Sequence, residues 1–247
     1  MEKSKSAARA SGRHHHVGIP DDLTMEVASK WTAGRVSKKR FHHIQGVVAV
    51  GGQLARALNV DPFPVELACM LHDSSKELGA SDLIILAKSR GMELVPHEEE
   101  HGHVLHGPVG AMIASETFGL TNMDVLAAIA EHTLGNLDMC IISKLVYIAD
   151  KIEESRPVEA TATIWEALGT DALQLQTFAK NHDHRKHGKH INHAEKLNLN
   201  LNAAILASCN MVLGHMVKKN KPIHPRSVEV RNNFLMLVKQ KEAGQHD

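Results

Sequence analysis

Residues 64–78 read PVELACMLHDSSKEL, and the fold turns on what this stretch does with its polar pair. Val65, Leu67, Ala68, Met70 and Leu71 form an apolar run that stops abruptly at His72 and Asp73. At the end of a buried helix, an imidazole beside a carboxylate is costly to desolvate unless something pairs the two. A metal ion does so, because neutral imidazole and carboxylate are both ligands for zinc, manganese and iron. The competing reading is a helix that runs out into solvent, with His72 and Asp73 as its first exposed residues. The dipeptide alone does not separate these; the rest of the chain does.

Outward from this stretch, apolar residues recur at the three-and-four spacing of amphipathic helices. Residues 21–33 carry Leu23, Val27, Ala28 and Trp31 on one face, and residues 37–58 carry Phe41, Ile44, Val48, Gly51, Leu54, Ala55 and Leu58. A helix over 62–73 opens on prolines, which the first turn tolerates. Ser81 is expected to cap a helix through Arg90 that Gly91 terminates, and residues 92–105 read as a charged, histidine-bearing loop. Further helices are expected over 108–118, from a Thr121 or Asn122 cap to His132, and over 138–154, 159–168, 171–180, 197–219 and 227–241. There is no β-type alternation and no internal repeat, so the chain is expected to be all-α.

Residues 1–19 are polar and aperiodic and read as a disordered N-terminal extension. Residues 20–241 then form a single helical bundle, interrupted by a cationic, histidine-rich insertion at 181–195 and followed by a tail at 242–247. The insertion reads as solvated, since no scaffold fixes its histidines. Aromatics are only 3% of the chain, so Leu, Ile, Val, Ala and Met must fill the core. Basic and acidic residues balance at 28 each, which argues against a general nucleic-acid or membrane-surface binder. The best apolar run, residues 139–149, is too short to span a bilayer and contains Lys144. Residues 1–20 lack the apolar core of a secretory signal. Cys69, Cys140 and Cys209 stand singly without CxxC spacing and read as reduced core thiols of a cytoplasmic protein.

Four more polar residues interrupt apolar helices: His43 in KRFHHIQGVV, His106 in LHGPVGA, His132 in VLAAIAEHT and Asp150 in KLVYIADKIE. A lone helical histidine is usually a hydrogen-bonded core or surface residue. Six such groups spread over several helices can converge on one point, as in bundles with metal centres. Adjacent helical residues point about 100° apart, so His72 and Asp73 do not chelate one ion as an i,i+4 pair does. A bridging aspartate can instead set two cations about 3.5–4 Å apart, which acidifies a water and takes up charge on an attacked phosphoryl group. No Ser-His-Asp order, Walker loop or GxGxxG competes, and Gly51-Gly52 lies inside a helix, where close packing explains it.

The order His…His-Asp…His…His…Asp resembles the HD-domain metal-dependent phosphohydrolases. RFHHIQGV (40–47), LHDSSKEL (71–78), LHGPVGA (105–111), EHTLG (131–135), ADKIEESR (149–156) and KPIHP (221–225), with Arg231-Asn232, are together similar to the YqeK family of symmetrical diadenosine tetraphosphate hydrolases. The likeness runs over residues 37–159 and again over 210–234. It implies an HD-domain helical bundle with His43, not the neighbouring His42, as the first ligand. His72, Asp73 and Asp150 would complete that metal site, and Asp73 would bridge to a second ion held by His106 and His132. A di-iron centre is implied, with manganese as the substitute; the donor chemistry alone does not choose.

The implied reaction is attack of a metal-bridged hydroxide on an inner phosphorus, releasing ADP from each side. Asp73 and Lys76 would be catalytic, with Lys76 contacting phosphate and neutralising the leaving group. Arg156, Thr133 and Gly135 are the further substrate contacts expected, the last two through polar or backbone groups. The bland readings are that Lys76 is a solvated charge paired with Glu77 or Glu66, and that Arg40 and Lys39 belong to a solvated face. The family's EPNR stands here as EESR at 153–156, keeping Arg156. His97, His101 and His103 either line the site entrance or decorate it. A homodimer follows from the resemblance alone. The alternatives are another HD-type nucleotide phosphohydrolase, acting on a nucleoside monophosphate, a dNTP or guanosine tetraphosphate, and a regulatory module that has lost its ligands, which the intact set of six opposes.

Overall fold

Eleven α-helices and one 3₁₀ turn, without a strand, make up the described residues, 16–169 and 197–244, of a computed structural model. In chain order they are α1 Met25–Ala33, α2 Lys38–Ala57, α3 Pro62–Leu71, α4 Ala80–Ser89, α5 Pro96–Glu100, the 3₁₀ turn Gly102–Leu105, α6 His106–Phe118, α7 Met123–Glu131, α8 Ile141–Ile152, α9 Val158–Leu168, α10 Leu201–Lys218 and α11 Pro225–Ala243. The all-α expectation holds.

Local chemistry sets most of the boundaries. Ser37 caps α2 by accepting the Arg40 N–H, and Asp61 caps α3 ahead of its prolines by accepting from Phe63. Asn122, not Thr121, caps α7 by accepting from Val125, and Gly119 closes α6 in the left-handed region at φ 66°. Elsewhere the structure departs from the sequence reading. Helix α1 starts at Met25 behind a Thr24 cap, not at residue 21. Gly79 is the N-cap residue of α4, so Ser81 lies inside the first turn and caps nothing. The supposed loop 92–105 contains α5 and the 3₁₀ turn, and α6 begins at His106, ahead of Pro108. Helix α8 spans a shorter stretch than 138–154, starting behind Cys140, whose sulfur accepts the Ser143 N–H. Helix α11 opens at Pro225 and runs two residues into the stretch read as a tail.

Of the extension read as disordered, residues 1–15 lie outside the described residues, as do the expected helix 171–180 and the insertion 181–195. Residues 16–19 are placed against the bundle. Ile19 joins the core, His16 stacks on Phe63, and the Gly18 carbonyl accepts from Thr121 and Asn122.

Helices α2, α3, α7 and α8 pack around one aliphatic core that includes Ile44, Leu54, Leu67, Leu71, Ile129, Leu145 and Ile148. Close approach explains Gly51, where a Cβ would stand 2.6 Å from the Cys69 sulfur on α3. A smaller cluster of Leu83, Ala87, Leu105 and Val109 fastens α4 to the 3₁₀ turn and α6. The three cysteines are free. No helix among the described residues is long and apolar enough to cross a membrane.

Gly107, one residue into α6, lets that helix touch the end of α7. A Cβ there would lie 2.7 Å from the Ala130 carbonyl and 3.1 Å from that of Ile129. These are backbone atoms that cannot rotate away. Gly107→Ala is therefore expected to destabilise the protein by about 1–3 kcal/mol, the usual cost of overpacking. Urea unfolding measures it, and an unchanged midpoint would contradict the close contact.

Candidate metal centre

Five helices deliver six polar side chains to one buried point. His43 comes from the interior of α2, and His72 and Asp73 from the end of α3. His106 is the first residue of α6, His132 follows the last residue of α7, and Asp150 lies in the last turn of α8. None is more than 7% exposed. His72 and Asp73 are 0% and 3% exposed, which overturns the reading in which α3 runs out into solvent.

Asp73 is at the centre. Its Oδ1 lies 3.3 Å from His106 Nε2 and 3.3 Å from His132 Nε2. Its Oδ2 faces the other pair, 3.8 Å from His43 Nε2 and 3.7 Å from His72 Nε2. Asp150 attends only that second pair, with Oδ1 3.1 Å from His43 Nε2 and 3.9 Å from His72 Nε2. One carboxylate thus addresses two pairs of imidazoles through different oxygens.

The ring hydrogens are set from outside the cluster. His72 Nδ1 lies 2.6 Å from the Cys69 carbonyl, His106 Nδ1 2.6 Å from that of His103, and His132 Nδ1 2.8 Å from that of Ile129. His43 Nδ1 lies 2.9 Å from Glu153 Oε1. These oxygens only accept, so each Nδ1 carries a hydrogen, and a ring in its neutral form turns the Nε2 lone pair inward. The Nε2 atoms of His43 and His72 are buried without a hydrogen-bond partner. Those of His106 and His132 lie 3.0 Å apart, acceptor against acceptor. Buried lone pairs arranged this way around carboxylates fit cations. Two sets, His43, His72 and Asp150, and His72, Asp73 and His132, each bring their donor atoms within 4.8 Å of one another and could hold a metal ion. His106 stands against the second set.

Burial alone would raise the Asp73 carboxyl, but His72, His106 and His132 reverse this and hold it well below the ordinary range. Asp150 is likewise held low against its burial by Lys151, His43, His72 and Arg156. Burial lowers His72 and pushes His132 down to about 3. For His43 burial is outweighed by Asp150 and Glu153, and the ring is raised.

Cations surround the cluster. Lys76 Nζ donates to His106 Nε2 at 3.1 Å, and burial depresses its ammonium against the pull of Asp73 and Asp150. It is not paired with Glu77, which accepts from Ser37, nor with Glu66, which binds Arg56. Arg156 donates to Asp150 Oδ1 at 2.8 Å and to the Asp150 carbonyl at 3.0 Å. Thr133 Oγ1 sits 2.9 Å from His106 Nε2 and 3.2 Å from His132 Nε2. Gly135 departs from expectation: its N–H is spent on the Glu131 carbonyl, and its φ of +76° marks a left-handed turn beneath Val230. No backbone donor is left there for a substrate.

Sequence reasoning missed two neighbours of the aspartates and His43, Lys151 and Glu153, and left Arg40 open between a solvated face and a place beside His43. Arg40 belongs to the site, not to a solvated face, with Nη1 2.9 Å from Asp73 Oδ2. Its place one helical turn before His43 was the available signal. Lys151 pairs with Asp150 at 2.5 Å, and Glu153 holds His43. Gly46 leaves room for Glu153, since a Cβ there would stand 2.7 Å from Glu153 Oε2. His42 is exposed. His97 packs edge-on to both His101 and His224, apart from the six, while His103 lends its carbonyl to His106.

The HD domain family matches residues 40–155, from Arg40 to Ser155, a span that holds all six side chains. The chain is 34% identical over 138 residues to the symmetrical bis(5'-nucleosyl)-tetraphosphatase of Staphylococcus aureus, covering 55% of this chain and 70% of that one. It belongs to this HD-domain family. A second member of the symmetrical tetraphosphatases, from Halalkalibacterium halodurans, is 26% identical over 206 residues, or 83% of this chain and 93% of its own. A crystal structure from Clostridium acetobutylicum, described as a predicted HD superfamily hydrolase involved in NAD metabolism, superposes with a TM-score of 0.67 at 25% identity. It covers 86% of this chain and 97% of its own. The resemblance drawn from the motifs is thereby shown.

Acid should weaken the metal-free tetraphosphatase fold. Below the ordinary imidazole range, the unfolded chain protonates His72 and His132 while the fold keeps both neutral. Asp73 and Asp150, held low, add a further loss at still lower pH. His43, raised, acts in the opposite sense and offsets part of this. More protons bound by the unfolded chain means stability rises with pH, so the urea midpoint is expected to fall from about pH 7 to about pH 5. A flat or rising midpoint would contradict it.

Proposed function

We propose that the protein hydrolyses diadenosine tetraphosphate symmetrically to two ADP, using a pair of divalent cations. His43, His72, Asp73 and Asp150 hold one, and Asp73, His106 and His132 hold the other. Iron is the first choice and manganese the substitute. The observation that carries this reading is the division of Asp73, one oxygen toward His106 and His132 and the other toward His43 and His72. Relatives named symmetrical tetraphosphatases support the choice of substrate. When bound, such a pair of cations acidifies a water and offsets charge on the attacked phosphoryl group.

The chain's own residues supply the remainder. Asp73 and Asp150 stay ionised at neutral pH because the imidazoles and cations around them outweigh burial. Lys76, beside His106, is placed to contact a phosphate oxygen and neutralise the departing ADP. Arg156, 38% exposed beyond Asp150, offers a guanidinium for a second phosphate contact. Thr133, which like Lys76 sits beside His106, can donate its hydroxyl hydrogen there. A polyanionic bridge suits a site flanked by Arg40, Lys76, Lys151 and Arg156. A cytoplasmic setting, which rests on the three single cysteines, and a homodimer, which rests on the family resemblance alone, are part of the proposal.

Protein prepared anaerobically is expected to carry two metal ions per chain, with ADP as the sole nucleotide product from diadenosine tetraphosphate. Release of AMP and ATP would rule out symmetrical cleavage, and turnover confined to nucleoside monophosphates, dNTPs or guanosine tetraphosphate would favour the other HD-type reading. Asp73→Ala should lower turnover by at least about 10²–10³-fold, the scale of losing one electrostatic stabiliser. Its far-ultraviolet circular dichroism should stay that of the wild type.

A further inference from the structure

Three of the four imidazoles around Asp73 are oriented by a main-chain carbonyl three residues upstream: Cys69 for His72, His103 for His106 and Ile129 for His132. Two of those carbonyls, in the last turns of α3 and α7, have no helical partner to give up, and the third belongs to the 3₁₀ turn before α6. His43 has no such option. It lies within α2, where the carbonyls behind it are committed to the helix ladder. An imidazole at a helix interior needs an acceptor from elsewhere in the fold.

Glu153 supplies it across 110 residues of sequence, with Oε1 2.9 Å from His43 Nδ1. The carboxylate is 1% exposed. It is fully engaged: Ser155 donates its hydroxyl to Oε1 and its backbone N–H to Oε2, and Arg156 Nε lies 3.5 Å from Oε1. Gly46 keeps the approach open. Glu153 follows Asp150 by one turn, so the end of α8 grips the His43 ring from both sides. Asp150 Oδ1 lies 3.1 Å from Nε2, and Glu153 sits at Nδ1.

We propose that Glu153 is a positioning residue for the cation site of His43, His72 and Asp150. It holds the hydrogen on Nδ1 so that Nε2 offers its lone pair to the cation, and its negative charge makes the ring a stronger donor. Glu153 does not touch the substrate. The inference rests on the two-cation reading of the site.

The test is calorimetric titration of the metal-stripped full-length protein with manganese. Wild type should fill two sites. Glu153→Ala should weaken one site by about 10–100-fold and leave the other within about threefold of wild type. Glu153→Gln keeps an acceptor for the Nδ1 hydrogen without the charge, so its loss should fall in between. Wild-type affinity at both sites in Glu153→Ala, or equal loss at both, would overturn the proposal, the latter marking a general structural role. Should the alanine variant not fold, the glutamine variant decides alone: loss at one site supports the proposal, and no loss or equal loss defeats it. A wild type that takes up no second ion would defeat the two-cation reading and this inference together, whereas two normal sites in both variants would defeat this inference only.

Discussion

A single carboxylate shut away from water between four imidazoles is the constraint around which the rest of this fold is arranged. Asp73 is 3% exposed, and its two oxygens face the Nε2 atoms of four imidazoles. Such a group persists only if its charge is balanced and its neighbours are held still. The means are visible in the surrounding helices. Arg40 reaches it from α2, backbone carbonyls or Glu153 lock the rings, and Gly107 brings α6 onto α7 so that His106 and His132 meet. The apolar core supplies rigidity beneath this, since α2, α3, α7 and α8 share it.

The charge distribution then follows a simple logic. Two aspartates and Glu153 are buried, and Arg40, Lys76, Lys151 and Arg156 lie close around them. Each cation answers a carboxylate or an imidazole in the structure, so none is merely decorative. The same side chains that keep Asp73 and Asp150 ionised are those a polyanion would meet on arrival. Balancing the buried charge and receiving a phosphate chain are thus two uses of one set of residues.

Much of this was legible in the chain itself. The helices carry strong three-and-four periodicity, and the six polar interruptions converge as their order implied. What escaped notice did so for physical reasons. Ser81 looks like a cap by type, but Gly79 is the N-cap residue of α4, and a propensity says nothing about where the chain turns. The stretch 92–105 is too charged to show periodicity, yet the packing of Leu105 and Val104 with the smaller cluster pins its turn. Arg40 and Glu153 owe their roles to partners 33 and 110 residues away, a distance that no local spacing encodes. Gly135 reads in sequence as a backbone contact for substrate, whereas its amide is consumed in ending α7.

The small satellite cluster of Leu83, Ala87, Leu105 and Val109 has a bearing on durability. His106 takes its orientation from the His103 carbonyl, and that carbonyl belongs to the 3₁₀ turn that this cluster fastens down. His43, His72 and Asp150 are instead rooted in the main core. Local openings in proteins follow such divisions of packing. His106 is thus tied twice, to the main core where α6 meets α7 and to this peripheral cluster through the 3₁₀ turn, and it is the orientation of its ring that depends on the periphery.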